Sequence, residues 1–149
     1  MSNDAHIPVL LHEAVANLNI QPNGIYIDAT FGRGGHARAI LQQLDQSAKL
    51  IVIDQDPEAI AVATDLKQQF PQLIIIQDNY SQLYEICTAE NIIGKVDGIL
   101  IDCGVSSPQL DNPERGFSFA KAGPLDMRMN NNAGQTVGQW LEKVSEKDL

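Results

Sequence analysis

A strand, a glycine-rich turn and the start of a helix follow one another directly in residues 25–36. The apolar run Ile25–Ile27 is typical of a β-strand, and Asp28 stands at its end. Residues 31–35 form the turn, and the apolar i, i+3, i+4, i+7 pattern after it predicts a helix over 36–44. Glycines let a ligand approach the backbone, and the first N–H groups of a helix have no partner within it. The sequence therefore predicts a cofactor-binding corner here.

Three further apolar runs follow along the chain, and helical patterns separate them. The runs are Lys49–Ile53, Leu73–Ile76 and Val96–Ile101, with helices predicted near 11–18, over 57–70 and after Tyr80. Near-continuous apolar runs are typical of parallel strands that are buried on both faces. Strands that alternate with helices predict right-handed crossovers and a doubly wound, Rossmann-like α/β fold, of which this chain holds about half the sheet.

The last predicted strand leaves one edge of this sheet open. Residues 96–101 are expected to pair with the first strand, and no later strand is predicted to cover the far edge. We therefore expect either a longer protein, of which this chain is the front part, or self-association as a homodimer. Residues 1–8 are predicted to be a polar arm, and residues 104–132 show no period, as is typical of a functional or inserted segment.

Composition narrows the class of protein. With 149 residues, 44% of them hydrophobic, the chain suits one globular domain. It has no apolar run of membrane-spanning length and no signal pattern, which favours the cytoplasm and no membrane partner. The formal charge of −9 argues against broad phosphate binding but leaves room for one shaped nucleic-acid site. Cys87 and Cys103 are expected to be free, buried thiols, and the spacing of the histidines predicts no metal site.

The glycine-rich turn fits a nucleotide-binding fingerprint. Residues 32–37, GRGGHA, match G-x-G-x-x-G/A, and Asp54 ends the next predicted strand 19 residues after Gly35. A carboxylate at that place can accept hydrogen bonds from ribose hydroxyls. The alternative is an ordinary tight turn between a strand and a helix.

The residues around the turn favour S-adenosylmethionine over a dinucleotide. A dinucleotide places its pyrophosphate at the helix N-terminus, whereas the methyl donor carries an ammonium and a sulfonium cation and favours nearby carboxylates. Asp28 is such a carboxylate, four residues before Gly32. Asp28 could instead cap the turn through its own backbone. Tyr80, after the third strand, is predicted either to stack on adenine or to be a core aromatic.

Acidic residues end three of the four predicted strands. They are Asp28, Asp54 and Asp102. Ligands of open α/β sheets bind beyond the carboxyl ends of the strands, so these three acids are expected to line one crevice. Cys103 follows directly as a candidate nucleophile, but no partner base is identifiable, and a structural thiol is favoured.

Five segments are together similar to one family. They are HIPVLL (6–11), DATFGRGGH (28–36), IDQDPEAI (53–60), GKVDGILIDCGVSSPQLDNPERGFSF (94–119) and GPLDMRM (123–129). By these motifs the chain is identified as a member of the ribosomal RNA small subunit methyltransferase H family, and the resemblance spans almost the whole chain. Cys103 stands where leucine is usual in that family, and Tyr80 where phenylalanine is common.

The resemblance implies a class I S-adenosylmethionine-dependent methyltransferase fold. It implies methyl transfer to N4 of a cytidine in the decoding region of small-subunit (16S) ribosomal RNA. The donor contacts that it implies are Gly34, Gly35, His36, Asp54, Tyr80, Asp102 and Gln109, and Gln109 rests on the resemblance alone. The match is to the family's N-terminal part, with a cofactor-binding half domain over 1–102, an active-site region over 103–135 and the start of an inserted helical domain over 136–149.

Within this activity, Asp102 is the hypothesised catalytic residue, as an acceptor for the hydrogens of the amine. Arg115, Phe117 and Arg128 are candidates for contact with the ribosomal RNA. We expect the chain alone to have little or no methyltransferase activity. Two other classes stay open, namely a nicotinamide-dependent oxidoreductase and a non-catalytic domain that binds the donor or merely self-associates.

Overall fold

The computed structural model describes residues 8–149. The chain divides into two units, one that extends to Cys103 and one that covers Gly104–Leu149. His6 and nearly all of the polar arm predicted over 1–8 lie outside the described residues. The three-part division at 102 and 135 stays a prediction. In the described part of the chain, no helix is long and apolar enough to cross a membrane.

The first unit is a parallel four-stranded sheet with helices between its strands. The strands are β1 (Ile25–Asp28), β2 (Lys49–Asp54), β3 (Leu73–Gln77) and β4 (Gly98–Leu100). The helices are α1 (Leu11–Asn17), α2 (Gly35–Leu41), α3 (Pro57–Lys67) and α4 (Leu83–Ala89), with a 3₁₀ turn at Tyr80–Gln82 before α4. The strand order is β3-β2-β1-β4, and all pairs are parallel. The predicted fold class, half of a doubly wound α/β sheet, is confirmed.

Each face of the sheet has its own core. Because side chains alternate along a strand, Tyr26, Leu50 and Val52 lie in the first core, which also holds Ile40 and Leu66 from helices α2 and α3. Ile27, Ile51 and Ile53 lie in the second core with Ile86 and Cys87 of α4. The central strands are therefore buried on both faces, as their continuous apolar runs predict.

The fourth strand is shorter than predicted. It covers Gly98–Leu100 rather than 96–101, although its pairing with β1 is confirmed. The Asp97 carboxylate accepts a hydrogen bond from the N–H of Ile25 at 2.8 Å, so a side chain takes part where the ladder would begin. Beyond Leu100 the chain leaves the sheet, and for this reason Cys103 is exposed and not buried as expected.

The second unit is built mainly from turns. Its regular elements are α5 (Ser107–Asp111), α6 (Val137–Leu141) and 3₁₀ turns at Pro113–Arg115 and Glu146–Asp148. Both short helices begin with a capping box, from Ser106 to Gln109 and from Thr136 to Gln139. Within residues 136–149, where the start of an inserted helical domain is predicted, the α-helix is limited to Val137–Leu141.

Hydrogen bonds from α6 and from Arg115 hold the GPLDMRM segment (123–129) within this unit. The N–H of Gly138 donates to the carbonyl of Leu125 at 2.8 Å, which fixes the start of α6. The Arg115 guanidinium donates to the carbonyl of Met129 at 2.9 Å. Gly116 has a φ of +76°, and a Cβ there would lie 2.5 Å from the carbonyl oxygen of Pro124. Glycine is therefore required at this close approach.

Candidate functional site

Asp28 ends β1 and is completely buried, with a relative exposure of 0%. Its Oδ1 accepts a hydrogen bond from the N–H of Thr30 at 3.2 Å. Its Oδ2 is buried and has no hydrogen-bond partner in the described part of the chain. The turn-capping alternative thus accounts for one oxygen of this carboxylate and leaves the other without a partner.

This environment disfavours the charged form of Asp28. Burial is the main cause that raises the pKa of its carboxyl from 3.8 to about 7, against the hydrogen bond from Thr30, which lowers it. The negative charges of Asp54 and Asp102 raise the pKa further. Asp54 and Asp102, which are predicted to share one edge of the sheet with Asp28, therefore lie close enough to act on its carboxyl. A bound cation would relieve both the burial and the repulsion.

Asp54 ties the glycine-rich turn to the end of β2. Its Oδ2 accepts from the N–H of Gly32 at 2.7 Å, and its Oδ1 accepts from the N–H of Asp56 at 2.9 Å. A second contact joins the same parts of the chain, since Arg33 forms a salt bridge of 2.8 Å with Glu58 in the first turn of α3. Each carboxylate oxygen accepts up to two hydrogen bonds, so Asp54 can still take a ribose hydroxyl.

The turn itself depends on its glycines. Gly32 and Gly34 have φ values of +55° and +78°, which favour glycine, and a Cβ on Gly34 would lie 2.7 Å from the ring of Phe31. A Cβ on Gly35 would overlap the ring of Pro8, whereas a Cβ on Gly32 would meet nothing within 4 Å. Helix α2 begins at Gly35, one residue earlier than predicted, and His36 is buried in its first turn. The open space at Gly32 is where a ligand can approach the backbone.

Asp102 lies two residues beyond β4, with an exposed side chain. Its N–H donates to Oγ1 of Thr30 at 2.7 Å. Thr30 thus makes hydrogen bonds with both Asp28 and Asp102. The sequence patterns did not single out Thr30, because a hydroxyl at a strand end has no distinctive spacing.

Tyr80 begins the 3₁₀ turn after β3, and 42% of its surface is exposed. It is therefore not a core aromatic, which was one of the two predictions for it. The side chain of Asn79 accepts from the N–H of Ser81 at 2.8 Å and fixes the start of this turn. An exposed ring at the carboxyl edge of the sheet is available for stacking.

The remaining predicted residues belong to the second unit. Gln109 is buried, and its Oε1 accepts from the N–H of Ser106 at 2.9 Å as part of a capping box. Arg115 and Phe117 are buried as well, with exposed fractions of 4% and 9%. The Arg115 guanidinium donates to main-chain carbonyls, and both side chains are buried, so the structure favours a structural role for them. Their contact with RNA stays a prediction.

Arg128, the third candidate for RNA contact, forms a two-pronged ion pair within its own segment. Its Nε and Nη2 donate to the carboxylate of Asp126 at 2.9 and 2.6 Å. This hydrogen bonding is the main cause that lowers the pKa of Asp126. The guanidinium is thus engaged in holding the GPLDMRM segment.

The parallel four-stranded half-sheet is that of a doubly wound α/β protein, a class in which ligands bind beyond the carboxyl ends of the strands. The chain belongs to the MraW methylase family, whose model matches residues 3–149. It is 57% identical over 144 residues to the ribosomal RNA small subunit methyltransferase H of Hydrogenovibrio crunogenus. This match covers 97% of the chain but 46% of the relative, so the chain spans about half the length of that curated protein.

Two solved structures are similar at a lower level. One, from Clostridium thermocellum and provisionally named an rRNA methylase, is 17% identical with a TM-score of 0.47 and covers 66% of this chain and 50% of its own. An rRNA methylase from Streptococcus thermophilus is 18% identical with a TM-score of 0.39, and covers 57% and 61%. Similarity at this level does not bear on function.

Proposed function

We propose that this chain is the donor-binding part of an S-adenosylmethionine-dependent methyltransferase that acts on N4 of a cytidine in small-subunit (16S) ribosomal RNA in the cytoplasm. Membership of the MraW methylase family and the identity to a methyltransferase H support the reaction class. The observation that carries the choice of cofactor is the buried Oδ2 of Asp28, which has no partner within residues 8–149. A buried carboxylate oxygen without a partner is costly unless a donor or a cation reaches it.

The residues at the edge fit the charge of this donor. S-adenosylmethionine, when bound, supplies a methyl group activated by a positively charged sulfur, and its amino-acid part carries an ammonium. Asp54 and Asp102 place negative charges near Asp28, since both raise the pKa of its carboxyl. A pyrophosphate would be repelled there, which disfavours a nicotinamide dinucleotide. The oxidoreductase is therefore the weaker candidate.

Each residue of the edge has a role that its surroundings permit. Asp28 binds the ammonium, and Asp54 accepts from a ribose hydroxyl while it holds Gly32. The exposed ring of Tyr80 stacks on adenine, and Gly34, Gly35 and His36 offer the backbone of the turn. Gln109 is proposed from the family resemblance alone. No metal has a role in this proposal.

Asp102 is proposed to act on the base that receives the methyl group. The N4 lone pair of cytosine is delocalised into the ring, so the amine is a poor nucleophile and must be aligned with the methyl carbon. Alignment of reacting groups can supply about 7 kcal/mol or more. The exposed Asp102 carboxylate accepts a hydrogen bond from the amine and stabilises the positive charge that develops there. The cytidine must leave its stack to reach this position, as modified bases generally do.

Calorimetric titration of the purified chain with S-adenosylhomocysteine, with NADH as the control, tests the cofactor. We expect S-adenosylhomocysteine to bind and NADH not to bind. NADH binding alone would replace the methyltransferase with the oxidoreductase. If neither ligand binds, residues 1–149 alone do not form the donor pocket, and the proposal for this chain fails.

The RNA step is tested separately by methyl transfer to small-subunit ribosomal RNA. We expect residues 1–149 alone to give little or no turnover, because β4 pairs only with β1 in the described part and the chain spans 46% of its relative. Substantial turnover by this chain would refute that expectation. If it is observed, Asp102→Asn is expected to reduce methyl transfer more than donor binding, whereas equal losses would make Asp102 a cofactor residue only.

A further inference from the structure

Thr30 connects the two strand ends that carry Asp28 and Asp102. Its N–H donates to Oδ1 of Asp28 at 3.2 Å, and its Oγ1 accepts from the N–H of Asp102 at 2.7 Å. The residue is partly buried and lies between the end of β1 and the glycine-rich turn. One residue therefore fixes a carboxylate on its own strand and the main chain of the neighbouring one.

The hydroxyl of Thr30 takes the place of a main-chain acceptor. The N–H of Ala29 donates to the carbonyl of Leu100 at 2.9 Å, as in a regular parallel ladder. In a continued ladder, the N–H of Asp102 would next donate to a main-chain carbonyl of the β1 strand. After Ala29, however, the chain turns towards β2, and the N–H of Phe31 donates to the carbonyl of Ile53 at 3.1 Å. The threonine hydroxyl keeps Asp102 attached to a strand that has already turned away.

Asp102 needs such an attachment. Strand β4 has three residues and ends at Leu100, and the residues that follow it up to Val105 are exposed. Short, exposed segments with few buried contacts open locally at low cost in free energy. A displacement of about 1 Å in a catalytic group can cost a hundredfold in rate.

We propose that Thr30 is a positioning residue that holds Asp102 beside Asp28, so that the carboxylate for the methyl acceptor and the carboxylate for the donor keep one fixed arrangement. This inference rests on the proposed function of the two acids. It gives a purpose to the residues that separate Asp28 from Gly32, the first glycine of the turn. A glycine directly after Asp28 would offer no hydroxyl to β4. Thr30 touches neither reacting group in this scheme and acts through Asp102.

Two substitutions of Thr30 distinguish the effect of its hydroxyl from the effect of its side-chain shape. Thr30→Val keeps the branched shape and removes the acceptor, whereas Thr30→Ser keeps the acceptor. We expect Thr30→Val to abolish the protection of the Asp102 amide against hydrogen exchange, measured by NMR. Because Asp102 is also among the donor contacts that the family resemblance implies, we expect S-adenosylhomocysteine binding to weaken about fivefold, in line with the loss of one hydrogen bond. Thr30→Ser is expected to keep the protection of the Asp102 amide and the affinity for S-adenosylhomocysteine at wild-type values. The matched control is Thr64→Val, which removes an exposed hydroxyl that donates to the carbonyl of Ile60 at 2.8 Å, and it should change neither.

The outcomes distinguish this inference from the proposed function. If Thr30→Val lowers the unfolding temperature while Asp102 exchange and donor affinity stay at wild-type values, Thr30 is merely structural and the inference is overturned. If the unsubstituted chain binds no S-adenosylhomocysteine, the proposed function fails, and the exchange of the Asp102 amide in the Val and Ser variants still decides whether Thr30 holds it. Should Thr30→Val not fold, the unsubstituted chain suffices, because an unprotected Asp102 amide there would overturn the inference.

Discussion

At the scale of single residues, Asp28 shows what burial does to a carboxylate. One oxygen is held by Thr30, the other has no partner in the described part of the chain, and Asp54 and Asp102 add repulsion. An isolated buried charge costs several kcal/mol, so the group must be neutralised by a proton or by a cation from outside. The sequence predicts an acid at the end of the first strand. It does not predict that one oxygen stays without a partner, because that depends on contacts from other strands.

The raised pKa of Asp28 makes stability depend on pH. Between 3.8 and about 7 the unfolded chain has lost the proton that the folded chain keeps, so the free energy of unfolding falls as pH rises through this window. Above about pH 7 the free energy of unfolding has fallen by its full amount, on the order of 4 kcal/mol. Asp28→Asn should therefore flatten this slope and exceed wild type in stability at pH 8. Urea unfolding at pH 5 and pH 8 measures both.

A matched control isolates this effect. Asp65→Asn removes an exposed carboxylate of helix α3 and should keep the wild-type slope. If Asp28→Asn and Asp65→Asn show the same dependence on pH, the folded state does not keep Asp28 protonated near neutral pH.

The same carboxyl should couple donor binding to pH. If the ammonium of S-adenosylhomocysteine binds Asp28, the residue must lose its proton, and its pKa of about 7 means that the proton is mostly present at pH 6. Affinity should then fall about tenfold from pH 8 to pH 6, with proton release visible as different heats in phosphate and Tris buffers. Asp28→Asn should bind weakly at both values. An affinity of the wild type that is constant over this range would place the ammonium elsewhere.

At the scale of elements, the sequence predicts the strands better than their ends. The runs Lys49–Ile53 and Leu73–Ile76 become strands that each extend one residue further, because a continuous apolar run between two helical cores has few alternatives. Helices α2 and α3 end three residues before their predicted limits. Their last residues form tighter turns instead, as in the 2.9 Å bond from the N–H of Gln43 to the carbonyl of Ile40. Apolar spacing cannot distinguish these turns from a helix.

In β4 and in the second unit, the structure differs from the predicted elements because of individual side-chain contacts. Val96 and Asp97 begin the predicted run, but the main-chain N–H of Ile25 donates to the Asp97 carboxylate, which changes where the ladder starts. In residues 104–149 the structure depends on capping boxes and on carbonyls bound by Arg115. These contacts have no period, so the sequence predicts only that the segment is irregular. The candidate site is predictable in its acids and glycines and not in Thr30, which works through one tertiary contact.

The glycine-rich turn offers a test at this scale. In Gly34→Ala, the alanine must adopt a φ of +78°, and its Cβ lies 2.7 Å from the Phe31 ring. In Gly32→Ala, the alanine must adopt a φ of +55°, but its Cβ meets nothing within 4 Å. Both should lose about 1 kcal/mol of stability from the backbone alone, and Gly34→Ala a further 1–3 kcal/mol from overpacking. Urea unfolding of the two variants measures the difference. Equal losses would mean that the Phe31 ring does not pack beneath the turn.

At the scale of the whole molecule, charge is divided unevenly between the two units. Residues 1–103 hold five of the ten basic residues and thirteen of the nineteen acidic ones, whereas residues 104–149 hold five and six. The formal charge of the first unit is therefore −8 and that of the second is −1. Under the proposed function, the acidic unit suits a cationic donor and repels RNA phosphates, so contact with RNA is more favourable for the nearly neutral unit.

The sheet has an open edge at β4 in the described part of the chain. Strand β4 pairs with β1 alone in the described part, and Ile99 and Ile101 beside this edge are 43% and 51% exposed. A strand with one unpaired edge and exposed β-branched side chains is a template for pairing with another chain. We expect the 149-residue chain on its own to self-associate at concentrations of tens of micromolar, as sedimentation velocity would measure. The double variant Ile99→Lys, Ile101→Lys should sediment as a monomer, while Ile93→Lys, which changes an equally exposed isoleucine five residues before β4, should not. A wild-type chain that is monomeric and does not bind a hydrophobic dye would show that this edge is not an interaction surface.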